Sequence, residues 1–203
     1  MIIMLNCSLK GSRGNTRYLM DRLESCAPGP CENVEIRDVL KDIPAFCSRL
    51  RGASALVLGA PLYVDAMPAQ ALHLMEEMYA SFRGQFPNLT VYVISNLGFY
   101  ESSQLRSLFD TARNWCARMQ MRFGGGLGMG AGGMMSAFKA IPLGKGPNKA
   151  LGEALNRLAE AIRSSEVIDP IYVQPTGIPR FAYIISAHRL FRNTGRKNGA
   201  IVR

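Results

Sequence analysis

The chain contains no apolar run long enough to span a bilayer. Its first residues lack a basic stretch leading to a small-residue cleavage site, so no export signal is expected. The five cysteines are odd in number and include no Cys-x-x-Cys pair. That argues against a disulfide framework and for reduced thiols in a cytoplasmic protein. The two histidines, His73 and His188, are distant from each other and the thiols are scattered, so no metal site is expected. Acidic residues are the scarcer charge: 15 Asp and Glu stand against 24 Lys and Arg, a formal net charge of +9. Such a balance suits nucleic acid, an acidic membrane surface or phosphorylated small molecules. No platform of interleaved aromatic and basic residues is visible, which sets nucleic acid aside.

Two phosphate signatures are also missing from the first turn of the chain. A nucleotide-triphosphate loop needs Gly-Lys-Ser or Gly-Lys-Thr at the helix start, where Gly14-Asn15-Thr16 stands instead. A dinucleotide loop needs Gly-x-Gly-x-x-Gly there, and that spacing is absent. The letters do occur later, at Gly128, Gly130 and Gly133, but the residues after them make a poor helix. That run reads as a glycine-rich strand end that leaves room for a neighbour, a ligand edge or a second subunit.

What the first turn does hold is Ser8-Leu9-Lys10-Gly11-Ser12-Arg13-Gly14-Asn15-Thr16. It joins an apolar run, residues 1–5, to a helical pattern over residues 17–24, with Asn15 or Thr16 as the expected N-cap. Hydroxyls, two glycines, two basic side chains and the open amides of a helix start suit a single phosphate monoester. The remaining sequence, 48% hydrophobic and 19% charged over 203 residues, has the balance of one globular domain. A turn at residues 27–30 precedes an edge strand expected at 34–39 and a short helix at 44–51. Buried strands are expected at 53–60 and 89–95, and a glycine-heavy one at 122–129. Helices are expected from Pro68 to residue 82, from Ser102 or Ser103 to residue 119, and from Asn148 onward with Leu151, Leu155, Leu158 and Ile162 in register.

Five strand-then-helix units predict an α/β fold: a doubly wound, five-stranded parallel sheet in the order 2-1-3-4-5. The loops after strands one, three and four then meet at the carboxyl ends of the strands, where ligands sit in such sheets. The third-strand loop is Pro61-Leu62-Tyr63-Val64-Asp65-Ala66-Met67-Pro68 and the fourth-strand loop is Asn96-Leu97-Gly98-Phe99-Tyr100-Glu101. A phosphate on the first loop and a flat ring against aromatics of the other two describe flavin mononucleotide, FMN.

These motifs resemble those of the flavodoxin-like NAD(P)H-dependent FMN reductases and the related iron–sulfur flavoproteins. SLKGSRGNT is similar to the phosphate loop of that family, and PLYVDAMPAQALHLMEEM to its second loop and following helix. NLGFYESSQ and GGGLGMGAGG are similar to later segments, so the resemblance spans residues 1–162. It implies that Ser8, Lys10, Asn15 and Thr16 bind the phosphate, with Ser12 and Gly14 in the same loop. It implies further that Pro61, Leu62, Tyr63 and Val64, with Asn96, Gly98 and Phe99, frame the ring. Lys10 stands where the family usually has Arg, and the cysteine cluster of the iron–sulfur branch is missing. The implied activity is hydride transfer from NADH or NADPH through FMN to a small acceptor, a quinone, a nitro or azo compound or free flavin. No side-chain acid or base is named as catalytic, because hydride transfer to flavin requires none. A flavodoxin-like electron carrier and a flavin-free interaction protein are the alternatives.

Residues 1–165 are expected to form the FMN-binding domain. Residues 166–203 form a basic extension carrying +4 of the net charge, with an amphipathic helix over 179–192. The extension is expected to pack beside the site or across a homodimer interface, with Arg180, Arg189 or Arg192 available to the nucleotide phosphate.

Overall fold

A computed structural model describes residues 1–27 and 29–200. Pro28 of the expected turn and the last three residues of the extension lie outside the described residues. In chain order the elements are β1 (Ile2–Asn6), α1 (Asn15–Glu24), β2 (Cys31–Glu35), α2 (Ile36–Val39), α3 (Ile43–Leu50), β3 (Ala55–Pro61) and α4 (Ala69–Phe82). Then follow β4 (Thr90–Asn96), α5 (Arg106–Met119), β5 (Arg122–Met129), α6 (Met135–Phe138), α7 (Lys149–Ser164), β6 (Ile171–Val173) and α8 (Arg180–Lys197).

The strands form one parallel sheet in the order β2-β1-β3-β4-β5-β6. The order through the fifth strand is as expected, but the sheet has six strands, not five. Ile171–Val173 pairs with Leu127, Gly128 and Met129 at the edge of β5. It is only three residues long between Pro170 and Pro175, so its strand character comes from that pairing and not from a local pattern. The edge strand expected at residues 34–39 is corrected too: β2 ends at Glu35, and the chain turns into α2. Ile36 and Val39 are three apart and both buried, a helical spacing that the short alternation concealed.

Residue alternation in the central strands builds two cores, one on each face of the sheet. Ile3 and Leu5, Leu56 and Leu58, and Val91 and Val93 join Met75, Leu108, Trp115 and Met119 from α4 and α5. Ile2 and Met4, Val57, and Tyr92 and Ile94 join Leu19, Leu23, Leu155 and Leu158 from α1 and α7. The Tyr92 hydroxyl, buried, lies 2.8 Å from the carbonyl oxygens of Ala161 and Glu166, and its pKa is pushed up to about 12 by that burial. The glycines of β5 make room for their own chain. A Cβ at Gly124 would enter the Tyr92 ring, and one at Gly126 would meet the Val93 carbonyl. Gly125, at φ +101, sits where the register with β4 shifts between Val91 and Tyr92. No helix of the described residues is long and apolar enough to cross a membrane.

Candidate functional site

The first loop is built on Asn6, the last residue of β1. Its Oδ1 accepts from the Ser8 amide at 3.1 Å, and its Nδ2 donates to both Glu35 carboxylate oxygens at 3.1 and 3.0 Å. This side chain fixes the point at which the chain leaves the sheet. A tight turn over Gly11–Arg13 follows, and Gly14 caps α1. A Cβ at Gly14 would lie 3.0 Å from Ser8 Oγ, so glycine lets the helix start close behind that hydroxyl. Asn15 or Thr16 was the expected N-cap from residue type, but the cap is Gly14 and both lie inside the first turn of α1. The amides of Asn15, Thr16 and Arg17 have no protein acceptor among the described residues.

The side chains of Asn15 and Thr16 tie the first loop to the segment after β5 and to the end of β4. Asn15 Nδ2 donates to the Gly132 carbonyl at 2.8 Å. Thr16 is 1% exposed, and its Oγ1 accepts from Asn96 Nδ2 at 2.8 Å. Backbone pairing continues beyond the strands: Leu62 N donates to Asn96 O, Leu97 N to Met129 O, and Gly132 N to Leu97 O. Between these loops, at the carboxyl ends of β1, β3 and β4, lies a cleft of about 310 Å³.

Ser8, Lys10, Asn15, Thr16, Pro61, Leu62, Tyr63, Asn96 and Gly98 all line the cleft, so residues up to 90 positions apart in sequence converge there. The other four expected residues do not line it. Ser12 is exposed on the turn and Gly14 packs behind Ser8. Val64 is 99% exposed at the tip of a two-residue hairpin closed by Tyr63 and Ala66. Phe99 is 66% exposed and borders a neighbouring cavity. Leu97, Gly132 and Gly133 line the cleft as well, and Gly133 belongs to the run expected to leave room for a ligand edge or a second subunit. The glycine run after β5 was the available signal, but its position against the first loop depends on sheet closure.

The hairpin tip carries strain. Val64 and Asp65 have φ of +47° and +61°, the conformation that Asn-Gly ordinarily supplies in such a turn. A β-branched residue there is an outlier of the kind that gathers at ligand sites.

The extension reaches the same end of the sheet. The Tyr183 hydroxyl donates to the Gly98 carbonyl, and the Tyr100 hydroxyl donates to Ile178 O at 2.7 Å. Arg180 pairs with Glu101 and holds that carboxyl below its usual pKa. Arg180 is thereby committed, while Arg189 and Arg192 line an open groove on the outer side of α8. Beside the cleft, between α8 and the Met134 segment, is a second cavity of about 600 Å³.

Neither histidine lies in the cleft: His73 is exposed on α4 and His188 on α8. Cys7 borders the first loop but is buried, and burial with the nearby Glu35 charge pushes its pKa up to about 12. Among the described residues no three His, Cys, Asp or Glu side chains gather as metal ligands.

No family model matches the chain, and no curated protein matches it in sequence. Solved structures match it in fold. A flavone reductase superimposes with a TM-score of 0.59 over 90% of this chain and 69% of its own, at 8% identity. The flavodoxin of Streptococcus pneumonia TIGR4 gives 0.55 over 81% and 98%, at 14% identity. An azoreductase from Bacillus anthracis str. Sterne gives 0.51 over 80% and 98%, at 9% identity. At these identities the likeness is one of architecture: the chain has a flavodoxin-like α/β fold with a parallel sheet, here extended by a sixth strand.

Proposed function

We propose that this protein is an NAD(P)H-dependent flavin oxidoreductase that holds FMN in the cleft and reduces a small acceptor. One observation carries the reading. A turn rich in hydroxyls and open amides, and a slot lined by Leu62, Tyr63 and Leu97, converge on one cleft at the carboxyl ends of β1, β3 and β4. The donor set fits the cofactor. The amides of Asn15, Thr16 and Arg17 lack protein acceptors among the described residues, and Ser8 and Lys10 line the same cleft as Asn15 and Thr16. Those groups suit a dianionic monoester, helped by the positive end of α1. A Cβ at Gly98 would meet nothing within 4 Å, which suits close approach of a flat ring. The names of like-folded proteins, a flavone reductase and an azoreductase among them, support a reductase.

When bound, FMN supplies two-electron chemistry, and the chain's own residues bind, orient and shield. Ser8, Lys10 and the first turn of α1 hold the phosphate. The Thr16–Asn96 bond fixes the phosphate loop to the end of β4, so ring and phosphate contacts are set together. Tyr63, Leu62 and Leu97 exclude water from the ring's surroundings. No side chain is assigned a proton.

On this reading residues 1–165 form the cofactor domain and residues 166–203 an extension that caps its acceptor side. We place the protein in the cytoplasm, with its thiols reduced, as a homodimer. Phe181 and Ile185, one helical turn apart on α8 and exposed outside the cleft and the apolar cavity, support pairing with a second copy. A one-electron carrier is the second reading, favoured by the likeness to a flavodoxin. The test is purification with a visible spectrum, followed by NADH and NADPH oxidation against a quinone panel. Flavin absorbance with steady turnover supports the reductase. Flavin without turnover supports the carrier, and no flavin binding removes both.

A further inference from the structure

We infer that the apolar cavity beside the cleft seats the electron acceptor, and that the acceptor is an uncharged, lipophilic quinone. The inference rests on the reading of the cleft as a flavin site. The cavity, about 600 Å³, lies between Tyr183, Ala187 and Phe191 of α8 and Phe99, Met134 and Ala137. That volume is in the range of small-molecule sites. It shares Gly98 and Gly133 with the cleft, so an occupant of one reaches the edge of the other.

The cavity is open because of how α8 is attached. The Tyr183–Gly98 bond, the Tyr100–Ile178 bond and the Arg180–Glu101 pair all lie at or just before its first turn. Among the described residues of α8 only Tyr183 is buried. The helix is therefore held at one end, and its apolar side stands off from Met134 and Ala137. Phe191 remains 73% exposed on that side. A ligand that fills the space removes this apolar surface from water.

Charge excludes a phosphorylated acceptor. Apart from the Tyr183 phenol, His188 is the titratable side chain on the lining. Arg189, Arg192 and Arg196 line the outer groove instead. A nucleotide acceptor such as free FMN would bring its phosphate into a lining without Lys or Arg, at a large desolvation cost. An uncharged quinone brings none. Its reduction balances as quinone plus NAD(P)H plus one proton giving hydroquinone and NAD(P)⁺. The nicotinamide supplies the hydride by way of the flavin, and solvent supplies the proton.

The test measures equilibrium binding of benzoquinones with alkyl chains of increasing length to the full chain, with and without FMN, alongside sedimentation. Affinity should tighten about fourfold for each methylene buried. Ala187→Trp and Ala137→Trp, each filling the cavity, should weaken the longest-chain quinone about tenfold or more and flatten the dependence on chain length. Both variants should keep the parent's helical circular dichroism. Affinity independent of chain length, or untouched by both substitutions, overturns the inference. So does a change of mass in the variants without a change in quinone affinity, which would give the cavity to a second copy of the chain. Loss of the flavin reading alone shows separately, as absent FMN binding while quinone binding is still measured.

Discussion

Replacing Thr16 by Val keeps the shape of the side chain and removes one hydroxyl. That hydroxyl accepts the 2.8 Å bond from Asn96 Nδ2, and both residues are buried. Without it the Asn96 amide loses its partner at the floor of the cleft. Leaving a buried donor unsatisfied costs about 1–3 kcal/mol. For a protein of this size that lowers the melting temperature of the flavin-free form by about 2–12 °C. On the proposed reading, cofactor binding is affected independently. Thr16 Oγ accepts from Asn96 and still has its own proton to donate, and a hydrogen bond to a charged group contributes about 1.5–3 kcal/mol. Its loss should weaken FMN about tenfold to 150-fold. Thr16→Ser restores the hydroxyl and should recover most of both effects. Scanning calorimetry reads the first quantity and quenching of flavin fluorescence the second. A Thr16→Val protein with an unchanged melting temperature and unchanged FMN affinity would refute both the structural and the binding role given to this residue.

Val64→Asn should raise the melting temperature by about 2–8 °C, because a residue tolerant of positive φ replaces a β-branched one at φ +47°; no change would mean that the turn is not strained. Native thiol titration at pH 8 should find Cys26 and Cys31 reacting first, with Cys7, Cys47 and Cys116 released on unfolding, since burial pushes those three to about 12, 11 and 12. Fast modification of Cys7 would contradict its placement. The Glu101 carboxyl is held below its ordinary value by Arg180, so the pair's contribution is complete above about pH 4.3. It is lost as the pH falls through the lower folded value. Hydrogen exchange of the α8 amides should therefore be unchanged between pH 7 and pH 5 once corrected for intrinsic rates, and faster in Glu101→Gln at both.

The parts of the fold legible in sequence were those with a one-dimensional cause. The β5 strand was read to its ends as a glycine-heavy run, β3 showed as an apolar run bounded by Gly52 and Pro61, and β4 as a run rich in β-branched residues. The β6 strand was not legible, since three residues between prolines acquire strand geometry only from the free edge of β5. Ile36 to Val39 fits a strand or a single helical turn by pattern, and burial of Ile36 with Val39 decided for the helix. In the site, glycine, hydroxyl and proline content marked the three loops. What composition could not carry was the cross-linking: Asn15 to Gly132 spans 117 residues and Thr16 to Asn96 spans 80. The apparent caps are for that reason members of the first helical turn with long-range partners. The space left by the β5 glycines is taken by Tyr92, Val93, Leu105, Phe109 and Ile168, and among the described glycines after the strand Gly132 and Gly133 reach the cleft.

The role proposed for the turn from Ser8 to Thr16 is to hold the phosphate that carries a flavin ring. Titrating the purified, flavin-free protein with FMN and with riboflavin, which lacks only the phosphate, tests it most directly. The expected result is one equivalent of FMN bound with a shifted visible spectrum, and riboflavin weaker by about a hundredfold or more, the effect of losing two charge-assisted hydrogen bonds at about 1.5 kcal/mol each. Equal affinity for the two, or no binding of FMN, would contradict the account.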